Sequence, residues 1–164
     1  MAKWSGMVDS WTPVAVADTA NMTNAGFCAL RGGSGTQRIS VLEVFMGGIH
    51  TASAPCIMQL ARNSQVGATP TGGDMSVLDP ATAALAAPPI FYNSAVTTFP
   101  QRDAALKMLS LGFNAFGGIV KWTAPEGFEP VILGNTASLG EVSLSAFTGG
   151  SPGLINSHIL FEPL

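Results

Sequence analysis

The chain has only two imidazoles, His50 and His158, so acid, base or nucleophilic catalysis near neutral pH has to draw on one of them or on a pair of carboxylates. His158 falls on the polar side of an alternating segment, and His50 follows the turn sequence Gly47-Gly48-Ile49; both read as surface or satisfied polar residues. Among the acids, Glu43 and Glu141 form the most suggestive pair for glycoside chemistry, because each interrupts an apolar run. A buried charge needs a partner, however, and Glu43 is expected to answer Arg31 or Arg38 across a sheet or a subunit boundary rather than to act in catalysis.

Other chemistries lack their signatures. A serine hydrolase of the GxSxG kind places its nucleophile on a tight strand-to-helix turn, and Gly32-Gly33-Ser34-Gly35 has neither the spacing nor a following helix. Neither GxGxxG nor GxxxxGK[ST] occurs, so the glycine pairs at 32–33, 47–48, 72–73, 117–118 and 149–150 read as turns and bulges rather than phosphate cradles. Cys28, Cys56, His50 and His158 are scattered without CxxC or HxxxH spacing, and there is no EF-hand loop. No catalytic residue, cofactor or metal is expected, and the chain is read as not an enzyme. Cys28 and Cys56 are expected as buried reduced thiols, because the N-terminal residues carry no apolar leader; Asn21-Met22-Thr23 is then a chance sequon.

Composition turns the question from chemistry to contact. Only 10% of the 164 residues are charged, against about 25% in ordinary soluble domains, while 47% are hydrophobic. A net charge of −3 offers no basic field for nucleic acid. No run approaches the roughly 20 apolar residues of a spanning helix. So few charges with so much apolar content suits a subunit that hides surface against other chains.

The elements that would position these residues are short alternating strands, at Phe27–Arg31, Arg38–Met46, Cys56–Arg62, Ile90–Thr98, Lys107–Phe113, Ile119–Ala124, Glu129–Leu133, Glu141–Thr148 and Ile155–Glu162. Near the C-terminus, Ile155, Ser157, Ile159 and Phe161 point one way and Asn156, His158, Leu160 and Glu162 the other. Arg38–Met46 is apolar on both sides and reads as a central strand covered on two faces. The pattern predicts an all-β fold, a β-sandwich of jelly-roll type, spanning 25–164 with an Ala/Thr/Pro-rich insertion at 66–89. Within the insertion a short helix is expected over Ala81–Ala87, capped by Asp79, opened by Pro80 and stopped by Pro88-Pro89. Residues 1–24 form an N-terminal arm or edge segment, in which Trp4, Met7 and Trp11 either fold back or reach a partner; with Glu43 they are the expected interface residues.

Three blocks, RGGSGTQRISVLEVFMGG at Arg31 to Gly48, FNAFGGIVKW at Phe113 to Trp122 and GEVSLSAFTGG at Gly140 to Gly150, together with the terminal NSHILFEP, resemble small virion proteins of tailed bacteriophages encoded among the capsid genes. The resemblance implies a capsid decoration, or cement, subunit that binds the outer face of a phage head, clamps adjacent major capsid proteins and forms homotrimers. It also implies residence on the virion after assembly in the host cytoplasm, with no nucleic-acid or membrane partner. A receptor- or glycan-binding jelly roll of a tail or fibre is the competing reading, with Tyr92, Trp122 or Trp11 as its aromatic platform.

Overall fold

A computed structural model describes residues 2–150 and 152–164, with all of their side chains except that of Val96. The described residues form thirteen strands: β1 (Trp4–Trp11), β2 (Phe27–Arg31), β3 (Arg38–Gly48), β4 (Pro55–Gln65), β5 (Ala68–Thr71), β6 (Asp74–Val77), β7 (Ile90–Tyr92), β8 (Ser94–Thr98), β9 (Gln101–Asn114), β10 (Ile119–Thr123), β11 (Val131–Leu133), β12 (Glu141–Phe147) and β13 (Ile155–Pro163). One sheet runs β10-β3-β13-β1-β6, with β11 also on β3; the second runs β7-β2-β12-β4-β9; β5 and β8 form a separate ribbon. The two sheets pack face to face as a β-sandwich.

Setting aside the short additions β5, β6, β7, β8 and β11, the eight remaining strands cross from one sheet to the other at every step except β4 to β9, which pair within the second sheet, in jelly-roll order. β1, β13, β3 and β10 lie side by side in one sheet, and β2, β12, β4 and β9 in the other. The core between them is built from one side of each strand: Val8 and Trp11, Leu30, Ile39 and Val44, Met58 and Leu60, Phe113, Val142 and Leu144, Ile159 and Phe161. Gly6 faces this core because the sheets approach closely there; a Cβ at that position would stand 2.5 Å from the Phe91 ring.

β3 resolves its two-sided apolar pattern by a bulge. Val41 pairs with Phe161 and Glu43 with Leu160, so Leu42 has no opposite number and the alternation changes phase at that point. Ile39 and Val41 before the bulge, and Val44 and Met46 after it, therefore all reach one core. Phe45 is left on the outer side, and the expected double coverage of this strand does not occur.

The expected helix does not form either. Asp79 caps only a turn, its carboxylate accepting from Ala81 N at 2.9 Å and its carbonyl from Thr82 N at 3.1 Å. Seven residues are too few to repay helix nucleation, for which roughly 12–15 are needed in isolation. Tertiary contacts decide instead: Gln37 Nε2 donates to Ala87 O at 3.0 Å and holds the segment against the 32–37 loop.

Residues 1–24 supply β1, which lies inside its sheet between β13 and β6. The chain then turns across the outer face of the second sheet, where Val16 bridges to Phe147, Asn21 to Gln101, and Met22 packs with Phe27 and Ala29.

Candidate functional site

The two outer faces of the sandwich carry its polar chemistry. On the first sheet, strand register aligns Asp74, Met7, His158, Phe45 and Lys121 in one cross-strand row. A second row holds Ser76, Ser5, Leu160, Glu43 and Thr123. Glu43 is the hub: Lys121 Nζ lies 2.9 Å from Oε2, His158 Nε2 3.2 Å from Oε1, and Thr123 Oγ1 donates to Oε2 at 3.5 Å. Partial burial alone would raise the Glu43 carboxyl, but hydrogen bonds and attraction from Lys121 and His158 outweigh it and hold the group below the ordinary carboxylate value. The His158 ring stacks on Phe45, centroids 5.0 Å apart and planes within 10°. Met7 and Ile119 complete an open apolar surround, Ile119 with 73% of its area exposed.

The second sheet's outer face is covered over β2, β12 and the C-terminal half of β4. Ser143, Ser145, Glu141, Asn63 and Arg102 are completely buried there, under residues 12–26 and the long connection from β4 to β9. Glu141 Oε1 accepts from Asn63 Nδ2 at 2.7 Å and from Gly67 N at 3.3 Å, while Tyr92 OH donates to Oε2 at 2.6 Å. Arg31 Nη1 stands 3.8 Å from Oε2 and donates to Gly67 O at 2.8 Å. Burial pushes the Glu141 carboxyl upward, with the Tyr92 and Asn63 hydrogen bonds and the Arg31 charge opposing it only in part; burial and the adjacent carboxylate push the Tyr92 phenol up as well.

A second group lies along the same face. Arg102 Nε donates to Asp18 Oδ1 at 2.7 Å and its Nη2 to Val16 O at 2.6 Å, and the guanidinium sits 5.3 Å from the centre of the Phe147 ring. Lys107 Nζ reaches Asp18 Oδ2 at 2.7 Å. Burial would raise the Asp18 carboxyl, yet the hydrogen bonds from Lys107 and Arg102 lower it on balance. These contacts fasten the 12–26 segment to the sheet.

The expected site residues part company. Met7 and Glu43 share the open face, whereas Trp11 is in the core at 4% exposure, donating from Nε1 to Ser157 Oγ at 2.9 Å. Trp4 packs against the core and borders a mostly apolar cavity of about 260 Å³ shared with Leu85, Pro163 and Leu164. Its indole nitrogen is buried without a partner. Glu43 binds Lys121 and His158 instead of Arg31 or Arg38, because Arg31 belongs to the other sheet and serves Glu141. The Phe45–His158 stack was missed because the sequence does not reveal which strands lie side by side. Asn63, Asp18 and Arg102 were missed for the same reason, and Tyr92, expected on an exposed aromatic platform, is buried against Glu141 instead.

Glu43 and Glu141 are on different sheets, each engaged by its own cation, and do not face a common cleft. Among the described residues no group of three or more His, Cys, Asp or Glu side chains is placed to hold a metal ion. Cys28 and Cys56 are both unpaired and buried, as expected. Burial pushes the Cys28 thiol up to about 12, so it stays protonated at neutral pH. Comparison with protein-family models, curated proteins and solved structures finds no match.

Proposed function

We propose that this chain is a viral structural protein, a capsid decoration subunit that binds the outer surface of a phage head and ties neighbouring major capsid proteins together. The observation that carries the reading is the distribution of uncovered apolar side chains on a rigid jelly roll. Ile119, Phe116 and Ile49 cluster toward one end, while Phe128, at 80% exposure, Leu133 and Leu139 lie in and beside the β10–β12 connections. A chain with so few charges leaves such groups in water at a cost in solubility, and contact with neighbours removes that cost.

The open face suits a clamp. Glu43 and Lys121 neutralise one another within it, and His158 hydrogen-bonds to the same carboxylate, so covering them strands no single charge. Met7, Phe45 and Leu160 supply apolar area around them. The glycan-binding alternative asks for an exposed platform at Tyr92, Trp122 or Trp11, but Tyr92 and Trp11 are buried and Trp122 packs on the core.

Phage heads assembled without this chain should rupture at lower temperature or lower ionic strength than complete heads, and adding the purified protein back should restore resistance. Heads that neither bind it nor gain stability would refute the decoration role, and saturable binding on a glycan array would then favour the tail or fibre reading.

A further inference from the structure

The sandwich has several free edges, and they differ in how they are defended. β6 is four residues long and carries Asp74; β7 and β11 have three residues each; β10 has five, with Lys121 at its centre. Short length and edge charges are the usual guards against strand addition. β9 has fourteen residues and pairs with β4 on one side only. After Lys107, whose ammonium is tied to Asp18, it continues as Met108-Leu109-Ser110-Leu111-Gly112-Phe113-Asn114 with no charge and no proline.

The hydrogen-bond phase shows which groups are unused. Leu109 to Asn114 pair in unbroken register with Leu60 to Pro55. Ala115 N donates to Ala54 O at 3.1 Å, next in that register, so Phe113, Leu111 and Leu109, at steps of two, also direct their backbone groups to β4. Ser110 and Gly112 direct theirs away from it. Asn114 shares their phase, and its carbonyl already bonds outside the sheet, accepting from Gly118 N at 3.0 Å. Leu109, Leu111 and Phe113 border the core side of the sheet. A Cβ at Gly112 would meet nothing within 4 Å.

We propose that β9 pairs with β9 of a second copy around a two-fold axis, joining the two second sheets into one. With Leu111 opposite its symmetry mate, Ser110 of each copy faces Gly112 of the other, and each such pair exchanges both N–H···O bonds. The segment is complementary to itself in this register. Donor meets acceptor, leucine meets leucine where the core reaches the edge, and no charge is brought against another. This inference stands on the edge geometry and is independent of the capsid reading. The pairing is isologous and stops at two copies, unlike the trimer implied by the resemblance.

Sedimentation of the full chain over a wide concentration range should give a dimer. Gly112→Pro removes an outward N–H while sparing the bonds to β4, and should weaken self-association at least tenfold with little change in melting temperature. Ser110→Lys combined with Gly112→Lys places like charges across both pairs and should have the same effect, so the test survives if the proline variant fails to fold. Ser110→Lys combined with Gly112→Glu places opposite charges across them and should restore the dimer. A wild-type monomer, a trimer, or a dimer indifferent to the lysine pair would overturn the proposal.

Discussion

The two outer faces of this sandwich solve the same problem in opposite ways. Strands β12 and β2 turn Glu141, Ser143, Ser145, Phe27 and Ala29 outward, where Asn63, Tyr92 and Arg102 from other strands of the sheet satisfy the polar groups, and the chain lays residues 12–26 over them. Strands β3, β10 and β13 turn Glu43, Lys121 and His158 outward, where they satisfy one another within the sheet and need no cover. Both faces carry a carboxylate beside a cation. What separates them is the layer above: residues 12–26 lie over the second sheet's group and bury it, while the first sheet's group has no such cover and remains open for contact.

The sharpest way to break this contrast is to remove the two carboxylates in turn. Glu141→Ala leaves Arg31, Asn63 and the Tyr92 hydroxyl buried without their acceptor, and should cost about 3–5 kcal/mol in denaturant unfolding. The loops over the second sheet should also become protease-sensitive, since Gly67 and Tyr92 lose the same anchor. Glu43→Gln keeps the shape of its side chain and loses ion pairs open to water, so about 1 kcal/mol or less is expected. Equal losses at the two sites would mean that coverage is not what distinguishes the faces.

Acid titration sharpens the same comparison by sign. The folded-state value of Glu43 is depressed below its ordinary 4.5, so its contribution is fully present above 4.5 and disappears as pH falls through the folded value. Glu141 is raised above 4.5, so its contribution is largest below 4.5 and is lost as pH rises through the folded value. Stability measured against pH for wild type minus Glu43→Gln should therefore rise with pH in the acid range, and for wild type minus Glu141→Gln it should fall. Slopes of the same sign would contradict the assigned environments.

How much of this could be read from residues alone follows from the range of the forces involved. The terminal strand was fully legible, because burial on one side imposes a period of two, and Ile155, Ser157, Ile159 and Phe161 are the buried set. The same rule is incomplete on β12, where Ser143 and Ser145 alternate with Val142, Leu144 and Ala146 yet are buried as well, because a second layer from residues 12–26 lies over them and no local pattern announces it. β3 misled in the other direction: one unpaired residue at Leu42 reverses the alternation, and bulges are written in the partner strand as much as in the strand itself. The partners of Glu43 required the neighbour relations of β3, β10 and β13, which join residues far apart in the chain.

The smallest expected change in stability tests what the open face is for. Ile119 is largely exposed and pairs with Gly47 at the margin of that face, so Ile119→Ser removes little buried area and should move unfolding stability by no more than about 0.5 kcal/mol. If the first sheet's outer face docks on a phage head, Ile119→Ser should weaken attachment measured by co-sedimentation while the melting curve stays put; a comparable exchange on the covered side, Met22→Ser, should unfold the cover because Met22 packs with Phe27 and Tyr92. Attachment unchanged by Ile119→Ser would move the contact from this face to the loop ends around Phe128 or Phe116, and would leave the asymmetry between the two faces as a property of folding alone.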